Sequence, residues 1–230
     1  MKEEQIKFNY SKEELASIER IIENNPKLKS DIEDLRLVYS SAIKEVKTKL
    51  EVLGDDFNTK HQYVPIHHIH SRLKNIPSMI EKAVRYGIED PLNNLDEVRR
   101  QIYDIAGIRV VCNYQEDIYT VSDLLQNQSD VTTIKIKDYC MMPKESGYRS
   151  LHVVVNVPVY LVKSKSTVPV EIQFRSIAMD TWASLEHELK YKNVGELPAE
   201  IQEQLKECAG ILATVDSQMQ NIRDLVLNKE

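Results

Sequence analysis

The apolar residues of this chain change their period twice, and that change limits the fold more than any other feature. Leu28, Ile32, Leu35, Tyr39, Ala42, Val46, Leu50 and Leu53 recur at steps of three and four, which gathers them on one side of a long helix. The stripe ends at Gly54, a residue type that often closes helices, so the spacing predicts a stop there. A shorter amphipathic stretch, Glu13 to Glu23, precedes it and breaks before Pro26. Beyond Pro198, Ile201, Leu205, Cys208, Leu212, Val215, Met219, Ile222 and Val226 mark a second long amphipathic helix.

Between these ends the pattern alternates. Val64 to His70, Gly107 to Cys112, Val131 to Tyr139, Leu151 to Leu161 and Val168 to Arg175 read as strands. Ile76 to Tyr86, Leu95 to Tyr103, Asp117 to Gln126 and Ile177 to Lys190 read as helices. Strands alternating with helices, followed by neighbouring strands, predict an α/β (α+β) fold: a mixed sheet with helices packed on it. No repeat, low-complexity tract or Gly/Ser linker interrupts the chain. The expectation is one domain over 1–230, with a helical part over 1–55, a catalytic core over 60–190 and a C-terminal helix over 197–230.

Charge and cysteines narrow the class. The net charge of −6 argues against a protein built to coat nucleic acid, which is usually basic. The longest apolar run is broken well before membrane-spanning length. Met1-Lys2-Glu3-Glu4-Gln5 has no apolar signal core. Cys112, Cys140 and Cys208 are odd in number and far apart, which suits reduced thiols in a cytoplasm.

Four segments put polar groups where a core would not take them. In Ser71 to Arg85, a helix would align Lys74, Ser78, Lys82 and Arg85 on one face. Cations without an interleaved carboxylate repel one another unless an anion lies over them; the plain alternative is a solvated face. In Asp104-Ile105-Ala106-Gly107-Ile108-Arg109 an aspartate leads into an apolar strand, placed to bind a hard cation such as Mg²⁺ or merely to cap a turn. Pro143 to His152 presents Lys144, Tyr148, Arg149 and His152 from a Pro/Gly loop, where Tyr148 has the shape to stack on a base. In Val170 to Arg175, alternation sends Val170, Ile172 and Phe174 to one face and Glu171, Gln173 and Arg175 to the other. Glu171 would pair with Asp104 at a metal. His67, His68 and His70 tempt a zinc reading, but no further ligand stands at suitable spacing. With no GxxxxGK[ST] or GxGxxG loop, any nucleotide must be held by side chains.

Taken in order, the RxKxxxSxxxKxxR helix, the DIAGIR junction, the PKxxGYRSLH loop and the VEIQFR strand resemble the synthetase domain of the RelA/SpoT family over roughly 60–190. Long members add a hydrolase domain in front and regulatory domains behind. This sequence has no His-Asp pair and is similar to the small, synthesis-only alarmone synthetases, nearer the RelP than the RelQ branch. The resemblance implies transfer of pyrophosphate from ATP to the 3′-hydroxyl of GDP or GTP. It implies that Arg72 and Arg109 sandwich adenine, while Lys74, Ser78, Lys82 and Arg85 hold the ATP phosphates. Asp104 would bind Mg²⁺ with help from Glu171, which would also take the hydroxyl proton. Tyr148 would stack on guanine, and Lys144 and His152 would meet its 5′-phosphates with Gln173 nearby. One departure, Lys144-Glu145-Ser146-Gly147-Tyr148 where many relatives carry an uncharged residue and Asn, leaves GDP against GTP open. Relatives assemble as tetramers, so a homo-oligomer is expected, with neither membrane nor nucleic acid as partner. The rival readings are a synthetase acting on the 3′ end of tRNA and a non-catalytic nucleotide-binding regulator.

Overall fold

The computed structural model of the protein describes residues 12–192 and 197–227; the opening Met1 to Gln5 lies outside them. In chain order the elements are α1 (Lys12–Glu23), α2 (Pro26–His61), β1 (Ile66–Leu73), α3 (Ile76–Arg85), α4 (Leu95–Gln101), β2 (Ala106–Cys112), α5 (Gln115–Gln126), β3 (Thr132–Asp138), β4 (Leu151–Tyr160), β5 (Lys165–Ser176), α6 (Ile177–Lys192) and α7 (Ala199–Leu227). No helix among the described residues is long and apolar enough to cross a membrane.

Asn25 starts α2: its side chain accepts a hydrogen bond from the Leu28 amide, filling one of the donors a helix leaves open at its N-terminus. The predicted stripe is buried from Leu28 to Leu50, with Leu53 half-buried, and the helix then runs past Gly54 to His61. Gly54 is a contact position, since a Cβ there would stand 3.7 Å from Val64. The stop is instead at Gln62, which caps the helix in the left-handed region at φ 51°.

The strands form one five-stranded mixed sheet in the order β1-β2-β5-β4-β3. Only β2 and β5 run parallel. Helix α2 spans β1, β2, β4 and β5, covering the face to which Val110, Val153, Val155, Val170, Ile172 and Phe174 point, all fully buried. At about 1.5–3 kcal/mol for each large apolar side chain removed from water, this face supplies most of the driving force for the sheet. The opposite face is polar, and the site is built there.

Helix α7 corrects the sequence reading. Leu205, Ala209 and Leu212 of its first half pack against Trp182 and Ala183 of α6. In its second half the inward residues are Asp216, Gln220 and Arg223, not Val215, Met219, Ile222 and Val226, which are exposed. Asp216 takes hydrogen bonds from Ser176 and Gln115, Gln220 accepts from the Glu116 amide, and Arg223 pairs with Asp117 at 3.2 Å between the rings of Tyr63 and Tyr114. A helix seated through hydrogen bonds has its apolar stripe left over.

Candidate active site

On the uncovered face, β1 offers His70 and Arg72, β2 offers Arg109, β4 offers His152, and β5 offers Glu171, Gln173 and Arg175. With Asp104, the 143–149 loop and the facing sides of α6 and α7, they enclose a cleft of about 1060 Å³. Of the residues expected at a site, Arg72, Asp104, Arg109, Lys144, Tyr148, His152, Glu171 and Gln173 line this cleft. Lys74 and Lys82 join it through Asp104. Ser78 and Arg85, on α3, are not among the lining residues.

At one end, Arg72 pairs with Gly107 and His70 with Arg109 across the β1–β2 ladder. The two arginines are therefore diagonal neighbours on one face, a separation of roughly 7–8 Å. That is the thickness of one planar ring with a guanidinium stacked on each side. The stem of Arg72 lies across Gly107, where a Cβ would meet it at 3.5 Å.

Lys74 is not on the helix expected for it. Asn75 caps α3 by accepting from the Ser78 amide, and Pro77 sits in the first turn, so Lys74 precedes the helix and bonds through its own amide to Ile105. Its side chain still reaches the same carboxylate as that of Lys82. Lys74 Nζ is 3.0 Å from Asp104 Oδ2 and Lys82 Nζ is 2.9 Å from Oδ1. The anion these cations need is thus a carboxylate of the chain itself. Burial pushes the Asp104 carboxyl up, but the two ammonium groups outweigh it and hold it below the ordinary range. Oδ1 is buried, and beyond its ion pair with Lys82 it has no other partner among the described residues.

At the other end, Lys144 Nζ lies 4.8 Å from the ring of Tyr139 and 4.9 Å from that of Tyr148. Gly147 holds the loop with φ +87°, and a Cβ on it would stand 2.6 Å from that of Ala209, so the loop rests directly on α7. Tyr148 Oη is 2.8 Å from His152 Nε2. His152 Nδ1 is 3.5 Å from Glu171 Oε1, and Gln173 Nε2 donates to Glu171 Oε2 at 3.4 Å. Burial raises the Glu171 carboxyl, yet His152 and Lys82 together outweigh it and hold Glu171 below the usual carboxylate range.

Two residues beside these had no role on sequence grounds. Arg175 is buried and contacts Tyr148, Gln173 and Asp180. Asp180, near the start of α6, also meets Arg109 at 3.2 Å. An Asp in a first helical turn is an ordinary sequence signal; that it serves two arginines on different strands is not. His67 sits at a bulge between Ile66 and His68 in β1, the rings of His67 and His68 lie edge-on at 5.2 Å, and His70 lines the cleft. Among the described residues no group of three or more His, Cys, Asp or Glu is placed to hold a metal.

The chain has relatives among known proteins. Residues 71–196 match the family model described as a region found in RelA/SpoT proteins. It is 39% identical over 199 residues to the GTP pyrophosphokinase YwaC of Bacillus subtilis, covering 85% of this chain and 93% of that protein. To the GTP pyrophosphokinase YjbM of the same organism it is 36% identical over 185 residues, covering 80% and 85%. The crystal structure of small alarmone synthetase 1 from Bacillus subtilis, bound to its product pppGpp, superposes with a TM-score of 0.78 at 35% identity, over 85% of this chain and 98% of that one.

Proposed function

The chain belongs to the RelA/SpoT family, and from that membership we infer that it is a GTP pyrophosphokinase. It moves the β,γ-pyrophosphate of ATP to the 3′-hydroxyl of GDP or GTP and releases AMP with guanosine tetra- or pentaphosphate. The observation that carries the residue roles is Glu171. It is an ionised carboxylate with a donor on each oxygen, in a cleft with a two-arginine slot at one end and an aromatic, cationic loop at the other.

Adenine lies in the slot between Arg72 and Arg109. Lys74 and Lys82, with Ser78 and Arg85 of α3, hold the ATP phosphates. Guanine stacks on Tyr148, with Lys144 turned to its 5′-phosphates and His152 and Gln173 beneath. The 3′-hydroxyl oxygen attacks the β-phosphorus. As the new O–P bond forms, the bond from that phosphorus to the bridging oxygen of AMP breaks, and the hydroxyl proton passes to Glu171. Fixed cations are needed because two polyphosphates must approach each other.

Mg²⁺ fits the residues present. It is commonly bound by one or two carboxylates together with substrate phosphates, and the buried Asp104 Oδ1 keeps an acceptor direction unused. Asp104 and Glu171 would hold the ion, which when bound neutralises phosphate charge. The whole chain works as one synthetase domain, in the cytoplasm, where its three free cysteines stay reduced. It works as a homo-oligomer, a reading supported by the exposed apolar residues of α7.

The test is purified protein with Mg²⁺, ATP and GDP, resolved by anion exchange beside Glu171→Gln. AMP and guanosine tetraphosphate should appear in equal amounts and fall at least a hundredfold in the variant, while both nucleotides still bind. Equal activity in the variant would remove Glu171 as base. A product found only when tRNA is added would move the acceptor to the tRNA 3′ end.

A further inference from the structure

The two donors on Glu171 have a common origin. A guanidinium carries only donors, so Arg175 dictates the direction of every hydrogen bond it enters. Its Nη2 lies 2.9 Å from Tyr148 Oη and 2.9 Å from Gln173 Oε1, and its Nη1 lies 3.0 Å from Asp180 Oδ1. Tyr148 Oη accepts from Arg175, and turning its one hydrogen to His152 Nε2, 2.8 Å away, satisfies all three groups. A neutral His152 therefore carries its proton on Nδ1, the atom 3.5 Å from Glu171 Oε1. The reverse tautomer would point a lone pair at a carboxylate. On the second branch, Gln173 must turn its oxygen to Arg175, which leaves its Nε2 to donate to Glu171 Oε2 at 3.4 Å.

We propose that Arg175 is a positioning residue for the reaction: it orients two hydrogen-bonded branches, through Tyr148 and His152 and through Gln173, that converge on the two oxygens of Glu171. The inference rests on the reading of Glu171 as the base. A carboxylate held by one donor still swings about its last torsion; held by a donor on each oxygen, it presents its free lone pairs to the cleft in one orientation. Asp180 fixes the guanidinium in turn. Both contacts to Glu171 are long for hydrogen bonds, as such contacts commonly are before substrate tightens a site. Tyr148 then has two separable parts, a ring for the base and a hydroxyl for the carboxylate. His152 acts on Glu171 rather than on a phosphate.

Tyr148→Phe separates these parts, since it keeps the ring and leaves Arg175 buried. Its kcat should fall about 10–100-fold, the scale of a misplaced catalytic group, with the KM for guanine nucleotide within about threefold. His152→Asn, which retains a donor near the Nδ1 position, should keep more kcat than His152→Leu. Independently of turnover, nitrogen-15 spectra at alkaline pH should show His152 of the wild type as the Nδ1–H tautomer, moving toward Nε2–H in Tyr148→Phe. A wild-type Nε2–H tautomer overturns the proposal, as does a rise in guanine-nucleotide KM with kcat kept. Glu171→Gln in the same assay separates the two failures. An active Glu171→Gln defeats the base, whereas an inactive Glu171→Gln beside an undiminished Tyr148→Phe defeats the positioning alone.

Discussion

Tyr148 does not wait with an open face. Lys144 and Arg175 both stand within about 5 Å of its ring centre, at 4.9 and 5.2 Å, and either contact is worth on the order of 0.5–2 kcal/mol. On the proposed reading, a guanine base stacking there would displace Lys144 and free it to reach the 5′-phosphates. The exchange is favourable because base–aromatic stacking is worth about 1–3 kcal/mol and the lysine regains an anionic partner. Tyr148→Ala should therefore raise the KM for GDP or GTP by roughly 5–150-fold, the factor that stacking energy implies, and that for ATP much less. Steady-state kinetics with each substrate varied in turn reads this directly. If the ATP constant moves most, the two purines are placed the wrong way round.

Elements with one apolar side were legible, and those seated through polar groups were not. Helix α2 and strand β5 announce themselves because burial falls on one period, 3.6 or 2. Lys74 was misplaced because an Asn cap and Pro77 restart the chain after β1, a signal of two residues beside a helical pattern of eleven. For α7 the inward face of the second half carries Asp216, Gln220 and Arg223, and no hydropathy pattern marks a polar face as buried. Gly147→Ala meets both a left-handed φ and the Ala209 Cβ, a strain of roughly 1–3 kcal/mol. It should push the loop off α7 and weaken guanine-nucleotide binding more than ATP binding in calorimetric titrations. Asp216 has its carboxyl raised by burial, against hydrogen bonds from Ser176 and Gln115. A folded state that binds this proton more tightly than the unfolded state gains stability as pH falls through the raised value, so the charge costs stability at neutral pH. Asp216→Asn should then melt no lower than wild type at pH 7–8, with any gain narrowing as pH drops toward the ordinary carboxylate range. A variant that melts lower at pH 8 and catches up in acid would mean that the charged form is the stabilising one.

At the scale of the molecule, α7 turns two unlike faces to two tasks. Its inner face backs the loop that holds Tyr148 and anchors to α5 through the Asp117–Arg223 pair. Its outer face leaves Ile211, Val215, Met219, Ile222 and Val226 between 45% and 64% exposed. Apolar side chains spaced along one side of a helix are a seam wanting a partner, and in a homo-oligomer the same seam on a second copy is the partner always at hand. Val215→Lys with Met219→Lys places charge in the middle of that seam and touches neither the cleft nor the residues that seat the helix. Light scattering coupled to size exclusion should show the double variant at a lower mass than the wild type, with urea unfolding of the subunit little changed. Because the same helix supports the guanine loop from behind, the smaller species should also show a higher KM for guanine nucleotide than for ATP relative to wild type. An unchanged mass would assign the seam no part in assembly, and the link between assembly and the guanine end of the cleft would fall with it.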